Sequence, residues 1–91
     1  MLSNIPKEIK EENLDKEILR AGIIAELDAI NLYEQFASLT DDEDMKKILL
    51  DVAKEEKTHV GEFQAMLLER DGEQVEELEQ GKKEIEEELG K

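Results

Sequence analysis

Three residues of this 91-residue chain have the types and the spacing to bind metal ions together. Glu56 and His59 form an E-x-x-H pair, and on a helix this spacing places a carboxylate and an imidazole on one face, about one turn apart. Glu26 is a further carboxylate earlier in the chain. Because the chain contains no cysteine, carboxylate and imidazole are its strong metal ligands, and they favour ferrous iron over softer metals.

Two amphipathic helices must position these residues. Along each helix, alternating steps of four and three residues trace a face that is apolar except at the candidate ligands. Glu26 interrupts the face of the first helix, and Glu56 and His59 interrupt that of the second. The two faces consist of Leu19, Ile23, Glu26, Ile30, Tyr33 and Ala37, and of Met45, Leu49, Val52, Glu56, His59, Phe63 and Met66.

A tight turn is predicted between these helices. The first helix is expected to start at an Asn13 N-cap and to run to about Leu39. Thr40 and Glu43 match the T-x-x-E capping box, in which the two side chains satisfy free backbone donors at the start of the second helix. Helices joined by so short a turn pack antiparallel. Counting residues from the turn at Thr40 along each helix places Glu26 at about the same height in the hairpin as the E-x-x-H pair.

The second helix is expected to end at about Arg70, where Asp71-Gly72 would supply a left-handed residue. A shorter third helix follows, interrupted by Gly81, with a thin apolar stripe that either docks on a neighbour or leaves the segment mobile. The predicted organisation is a flexible lead-in over 1–12, a helical hairpin over 13–71 and an acidic helix over 72–91. The stripe of the third helix consists of Val75, Leu78, Ile85 and Leu89.

Composition narrows the possible partners. The net charge of −14 repels nucleic acids and anionic membranes but attracts cations, so we expect no nucleic acid and no membrane partner. The N-terminal residues show no apolar run of the length of a signal sequence or a membrane span, and we expect a cytoplasmic or compartment-enclosed protein. A chain of this length leaves much apolar surface uncovered when it folds alone, so self-association is expected.

Buried carboxylates require a compensating charge, because an unpaired ion in an apolar environment costs several kcal/mol. No lysine or arginine occupies either predicted face, which leaves a metal cation as the simplest partner. Di-iron four-helix bundles use one Glu from each of two helices and a Glu-x-x-His from each of the other two. This chain supplies half of that set, so the sequence predicts an all-α hairpin that dimerises into a ferritin-like four-helix bundle around two metals.

The segment AGIIAELDAINLYEQFA, residues 21–37, followed by EKTH, residues 56–59, resembles the encapsulated ferritin family. The resemblance covers roughly residues 14–70. It implies half-ferritins that dimerise around a ferroxidase centre with two iron ions per dimer interface, form an annular homodecamer, and store iron inside an encapsulin nanocompartment. By this resemblance Glu26, Glu56 and His59 are iron ligands, and Tyr33 matches a tyrosine near the centre with a catalytic role.

The sequence departs from the family pattern at several positions. Leu32 stands where a tryptophan is expected, and Ala25 replaces a metal-entry glutamate. Asp28 and Glu34 are the nearest acidic residues on the first helix that could substitute for it. The C-terminal residues show no evident shell-targeting peptide, so we expect a natural chain that is fused to its shell or longer than this one.

Simpler interpretations exist for each residue. A lone histidine such as His59 in an apolar face is more often a satisfied core residue than a ligand, and E-x-x-H alone is common on charged helices. Tyr33 can be a packing residue with its hydroxyl satisfied nearby. Met45, Phe63 and Met66 are expected in the core. The acidic residues from 73 to 88 are expected to form a solvated helix face, and binding to a basic shell surface is the alternative.

Three classes of function therefore stay open. The first is a ferroxidase that oxidises Fe(II) to Fe(III). The second is a rubrerythrin-like di-metal peroxidase that uses manganese or iron to remove peroxide. The third is an acidic helical assembly module with a structural metal or none.

Overall fold

A computed structural model describes residues 13–91 of the chain, so the predicted lead-in over 1–12 lies outside the described residues. Three helices account for almost all of this range: α1 (Leu14–Leu39), α2 (Glu43–Arg70) and α3 (Gly72–Leu89). The prediction of an all-α fold with two long helices and a shorter third is confirmed. Within 13–91, none of the helices combines the length and the apolar character that crossing a membrane requires.

The first two helices form an antiparallel hairpin. Its buried core consists of small and branched apolar residues, because these allow two helices to pack closely. The prediction that Met45 and Met66 belong to this core is wrong for the single chain, since 54% and 45% of their surface is exposed. The predicted face of α2 was centred too far from α1, towards which the helix turns Ala53 and Leu67. The buried apolar residues are Leu19, Ile30, Ala37, Ala53 and Leu67.

The helix caps differ from the predicted ones. Asn13 precedes α1, but its side chain makes no capping hydrogen bond. Asp42 rather than Thr40 caps α2, since its Oδ1 accepts a hydrogen bond of 3.0 Å from the backbone N–H of Met45. The predicted capping box is therefore wrong. Thr40 stabilises the turn in another way, because its hydroxyl oxygen accepts a hydrogen bond from the N–H of Asp42.

The junction between α2 and α3 also differs. The sequence predicted a left-handed residue at Asp71-Gly72, but within 13–91 only Gly90 has a positive φ, of 68°. Asp71 instead caps α3, with Oδ1 accepting from the N–H of Gln74. Gly72 is the first residue of α3, and the helix continues through Gly81 without a break, so the predicted interruption there is wrong.

Candidate metal centre

The hairpin brings Glu26, Glu56 and His59 together. Glu26 lies near the middle of α1, and the other two residues lie one turn apart near the middle of α2. One potential ligand atom from each of the three lies within 4.8 Å of the others. His59 Nδ1 is 3.4 Å from Glu56 Oε2 and 3.5 Å from Glu26 Oε2, so the imidazole faces both carboxylates.

The carboxylates of Glu26 and Glu56 differ in their hydrogen bonding. His59 Nδ1 and Glu56 Oε2 are within long hydrogen-bond distance, whereas Glu26 Oε2 is buried and has no hydrogen-bond partner among the described residues. One imidazole N–H can donate a good hydrogen bond to only one acceptor, which accounts for the difference. A buried unsatisfied acceptor costs about 1–3 kcal/mol, and a bound cation would offset this cost.

The cluster opens to one side of the hairpin. The side chains of Glu26 and Glu56 are 18% and 20% exposed, whereas that of His59 is 44% exposed. Phe63 follows His59 by one turn of α2 and lies against Gly22 of α1, where a Cβ atom would come within 3.2 Å of the ring. Gly22 therefore allows the aromatic ring to lie close to α1 beside the cluster, and the three ligand candidates border the surface on this side.

That surface is largely apolar, and we call it the site face. It contains the Gly22–Phe63 contact and the residues that follow on the same side of each helix by steps of three and four. A cavity of about 220 Å³ lies at one end, between Ile18 and Met66. The large exposed apolar side chains of the site face are Ile18, Leu32 and Phe36 of α1 and Met45, Ile48 and Met66 of α2.

The other residues singled out in the sequence lie near this cluster without joining it. Tyr33 is half-buried on α1, two turns after Glu26. Glu34 accepts a hydrogen bond of 3.0 Å from Lys57 Nζ on the opposite edge of the hairpin, so it serves in a cross-helix ion pair. Ala25 and Asp28 are partly exposed neighbours of Glu26 along the chain.

A second polar cluster joins α1 to the start of α3. Arg20 Nη2 donates to Asp71 Oδ2 at 2.9 Å, and Asp71 is 9% exposed. The backbone N–H of Gln74 and the Arg20 guanidinium hold the pKa of Asp71 below its ordinary value, with Lys16 adding a smaller attraction. Sequence reasoning assigned Asp71 only to a turn. The D-x-x-Q pattern over Asp71–Gln74 was the available signal, because aspartate is a strong N-cap residue.

A helical hairpin with one seam glutamate and one E-x-x-H motif defines a class: proteins that carry half of a carboxylate and histidine bundle centre. A family model described as EncFtn-like matches residues 1–89. The chain belongs to this family.

Individual relatives agree with that assignment. The chain is 60% identical over 89 residues to a ferritin-like-encapsulin shell fusion protein of Pyrococcus furiosus. The aligned region covers 98% of this chain and 26% of that protein. The chain is also 41% identical over 73 residues to the encapsulin nanocompartment cargo protein EncC of Myxococcus xanthus. This aligned region covers 80% of this chain and 55% of that protein. The chain thus spans about a quarter and about half of these two relatives.

The fold is similar to a solved structure as well. The crystal structure of the encapsulated ferritin domain from Pyrococcus furiosus superimposes with a TM-score of 0.85 at 59% identity, covering 99% of this chain and 91% of that one. The expected resemblance to encapsulated ferritins is confirmed by these comparisons. The roles of Glu26, Glu56, His59 and Tyr33 stay predictions, as does the division into domains.

Proposed function

We propose that the chain is a ferroxidase, which binds Fe(II) as its substrate through Glu26, Glu56 and His59 and oxidises it to Fe(III) with dioxygen. Each ferrous ion gives up one electron, so two ions in one centre supply a pair of electrons to the same dioxygen molecule. Carboxylates suit this reaction because their negative charge stabilises the ferric product more than the ferrous substrate. Tyr33 is proposed to act beside the centre.

The buried Oε2 atom of Glu26 carries this proposal. It lies within the three-residue cluster and has no hydrogen-bond partner in the described range, because the one nearby imidazole nitrogen, His59 Nδ1, pairs with Glu56. A cation in the cluster would satisfy this oxygen and balance the two glutamates at once. The ligand set, two carboxylates and an imidazole without sulfur, matches the preference of iron.

A second copy of the chain is proposed to complete the site. One chain offers only two carboxylates and one imidazole, which are too few for two metals. A two-fold dimer offers four carboxylates and two imidazoles. The exposed apolar side chains of the site face surround the half-exposed His59, and a facing copy would cover them. The active unit is then a four-helix bundle, and we propose that such dimers assemble further into an annular decamer.

An encapsulin shell is the proposed destination of the oxidised iron. One relative is named as a fusion to an encapsulin shell and another as an encapsulin cargo protein. We propose the same compartment for this chain, located in the cytoplasm. A small annular assembly encloses little space, so ferric iron would be deposited in the surrounding shell.

Anaerobic titration with Fe(II), followed by exposure to air, tests the function. A ferroxidase consumes oxygen and develops a ferric absorbance band, and Glu26→Ala should abolish both signals. A rubrerythrin-like peroxidase would react faster with hydrogen peroxide than with oxygen. A structural module would show neither reaction, and either of these results would contradict the proposal.

Light scattering tests the shared site. If metal binds the complete site, then Fe(II), Co(II) or Zn(II) should raise the fraction of dimers and larger assemblies, because a ligand stabilises the state to which it binds. A metal-saturated monomer that oxidises iron would contradict the two-copy site, while leaving the ferroxidase itself intact.

A further inference from the structure

We propose that the contact between Gly22 and Phe63 sets the distance between α1 and α2 at the metal centre, and thereby holds Glu26 against His59. Gly22 and Phe63 are then positioning residues, which act through the ligands without binding the metal. Their role rests on the proposed metal centre, because it concerns how the ligands of that centre are kept at their separation.

The contact lies one turn from the ligands on both helices. Gly22 precedes Glu26 by four residues on α1, and Phe63 follows His59 by four residues on α2. In an antiparallel hairpin these equal steps place the Gly22–Phe63 contact about 6 Å from the Glu26–His59 contact, on the side away from the turn. The two contacts are therefore neighbouring layers of one helix interface.

Gly22 differs from the other glycines of the described range. A Cβ atom at Gly22 would lie 3.2 Å from Phe63 Cδ2 and 3.3 Å from Phe63 Cε2, whereas a Cβ atom at any other glycine between residues 13 and 91 would meet nothing within 4 Å. Glycine inside a helix is disfavoured relative to alanine, because it loses more backbone entropy on folding. The Phe63 ring supplies a packing reason for this glycine, since it occupies the space that a side chain would need.

Large and small residues are combined on both sides of the ligands. Towards the turn, the buried residues about one turn from the ligands are Ile30 on α1 and Ala53 on α2. Away from the turn, Gly22 on α1 lies against the half-buried Phe63 on α2. Each layer thus has one large and one small residue, which keeps the two backbones close without leaving a void. The helices cannot move apart at the ligands unless one of these layers repacks.

The ligand spacing leaves little room for such a movement. Two ligand atoms bound to one divalent first-row metal at about 2.1 Å, with an angle of about 90–110° between them, are roughly 3.0–3.4 Å apart. His59 Nδ1 lies 3.4 Å from Glu56 Oε2 and 3.5 Å from Glu26 Oε2, at and just above the upper end of this range. The first distance is set within α2, whereas the second depends on the separation of the two helices.

A methyl group at position 22 would change that separation. To accept a Cβ atom at 3.2 Å, the Phe63 ring or the helix that carries it must give way by a few tenths of an ångström. Metal–ligand distances tolerate changes of about 0.2 Å. Because close-packed interiors transmit strain, Gly22→Ala should move Glu26 away from His59 and weaken metal binding, although all three ligands are still present.

Cobalt binding tests this role, because the visible absorbance of Co(II) changes with its coordination geometry. Gly22→Ala should weaken Co(II) binding about tenfold and alter the Co(II) spectrum, as changes beside the ligands of a metal site commonly do. Phe63→Leu in the Gly22→Ala background removes volume where the methyl group adds it, so the double variant should recover the wild-type affinity to within about threefold. Melting curves of the metal-free proteins establish that each variant is folded.

Gly61→Ala is the matched control. It makes the same chemical change in the middle of α2, two residues before Phe63, where a Cβ atom would meet nothing within 4 Å. The substitution should raise the metal-free Tm, because alanine is the better helix former, and leave the Co(II) affinity and spectrum as in wild type. An effect of helix propensity alone would make the two glycine variants alike, whereas a positioning role separates them.

Two results would overturn the positioning role while leaving the metal centre intact. The first is wild-type Co(II) affinity and spectrum in Gly22→Ala, and the second is a double variant that binds Co(II) as weakly as Gly22→Ala does. If Gly22→Ala does not fold, Phe63→Leu alone decides, because it thins the same layer without crowding it; an unchanged Co(II) spectrum in this variant would overturn the role. A wild-type protein that binds no Co(II) would contradict the metal centre together with the role.

Discussion

Glu26→Ala should separate the chemical role of Glu26 from its structural one. In the metal-free protein the substitution removes a buried oxygen without a hydrogen-bond partner, which relieves about 1–3 kcal/mol. It also removes one largely buried methylene group, which costs about 0.8 kcal/mol. The relief equals or exceeds the loss, so the metal-free variant should melt at or slightly above the wild-type temperature.

The response to metal should differ sharply. At a free metal concentration a hundred times the Kd, binding stabilises the folded state by about 2.7 kcal/mol. For a domain of this size each kcal/mol raises the Tm by about 4–8 °C, so wild type should gain about 10–20 °C. Glu26→Ala halves the carboxylates of the proposed dimer site from four to two and should lose most of this gain together with iron oxidation.

Differential scanning fluorimetry with and without Co(II), alongside initial rates of ferrous oxidation, provides the assay. Glu55→Ala is the matched control, because it removes an exposed carboxylate next to Glu56 and should keep both the metal response and the rate. A wild-type oxidation rate in Glu26→Ala would show that Glu26 is not a ligand. A strongly destabilised metal-free variant would show instead that Glu26 is a paired structural carboxylate.

Three further predictions follow from the described contacts. His59→Ala keeps all the carboxylates of the site, so Co(II) titration should still detect binding while the rate of iron oxidation falls; unchanged oxidation would remove His59 from the site. Asp71 has a lowered pKa, so its stabilising effect is present above its ordinary value of 3.8 and lost as the pH falls through the lower folded value. The difference in Tm between wild type and Asp71→Asn should therefore be constant from about pH 5 to 8 and shrink below about pH 4, and a difference that grows on acidification would contradict this sign. The Lys57–Glu34 pair is exposed on both sides, so Glu34→Gln should cost at most about 1 kcal/mol by urea unfolding, and a larger loss would indicate a role beyond this ion pair.

The proximity of Glu26, Glu56 and His59 could be predicted from the sequence, because helical periodicity determines it almost alone. The spacing of three residues alone places Glu56 and His59 on the same face of α2. The length of the turn between α1 and α2 then sets the position of Glu26 along the hairpin, beside that pair. The caps were harder to predict, because Thr40 and Asp42 are both good N-cap residues and lie two positions apart. Which one caps the helix depends on the path of the turn, and that path is not encoded in residue type.

The exposure of Met45 and Met66 in the single chain could not be predicted from periodicity, for a different reason. The apolar residues of a helix include those that pack against another chain as well as those that pack within its own chain. The stripe of α2 is wide enough to serve both α1 and the site face, and a pattern of apolar residues does not distinguish the two. The joint at Asp71 likewise depends on Arg20, fifty-one residues away in sequence, and a long-range partner of this kind leaves no local pattern.

The isolation of α3 divides the chain into parts that can open at different free energies. The hairpin buries its apolar core between two helices, whereas α3 is joined to it chiefly through the hydrogen bonds of a single aspartate. In a lone subunit the backbone amides of α3 should therefore exchange with deuterium through local unfolding, while those near Ile30 and Ala53 exchange only when the whole hairpin opens. Amide protection in α3 thus reports on contacts made outside the subunit, and it would rise only in an assembly that covers the helix.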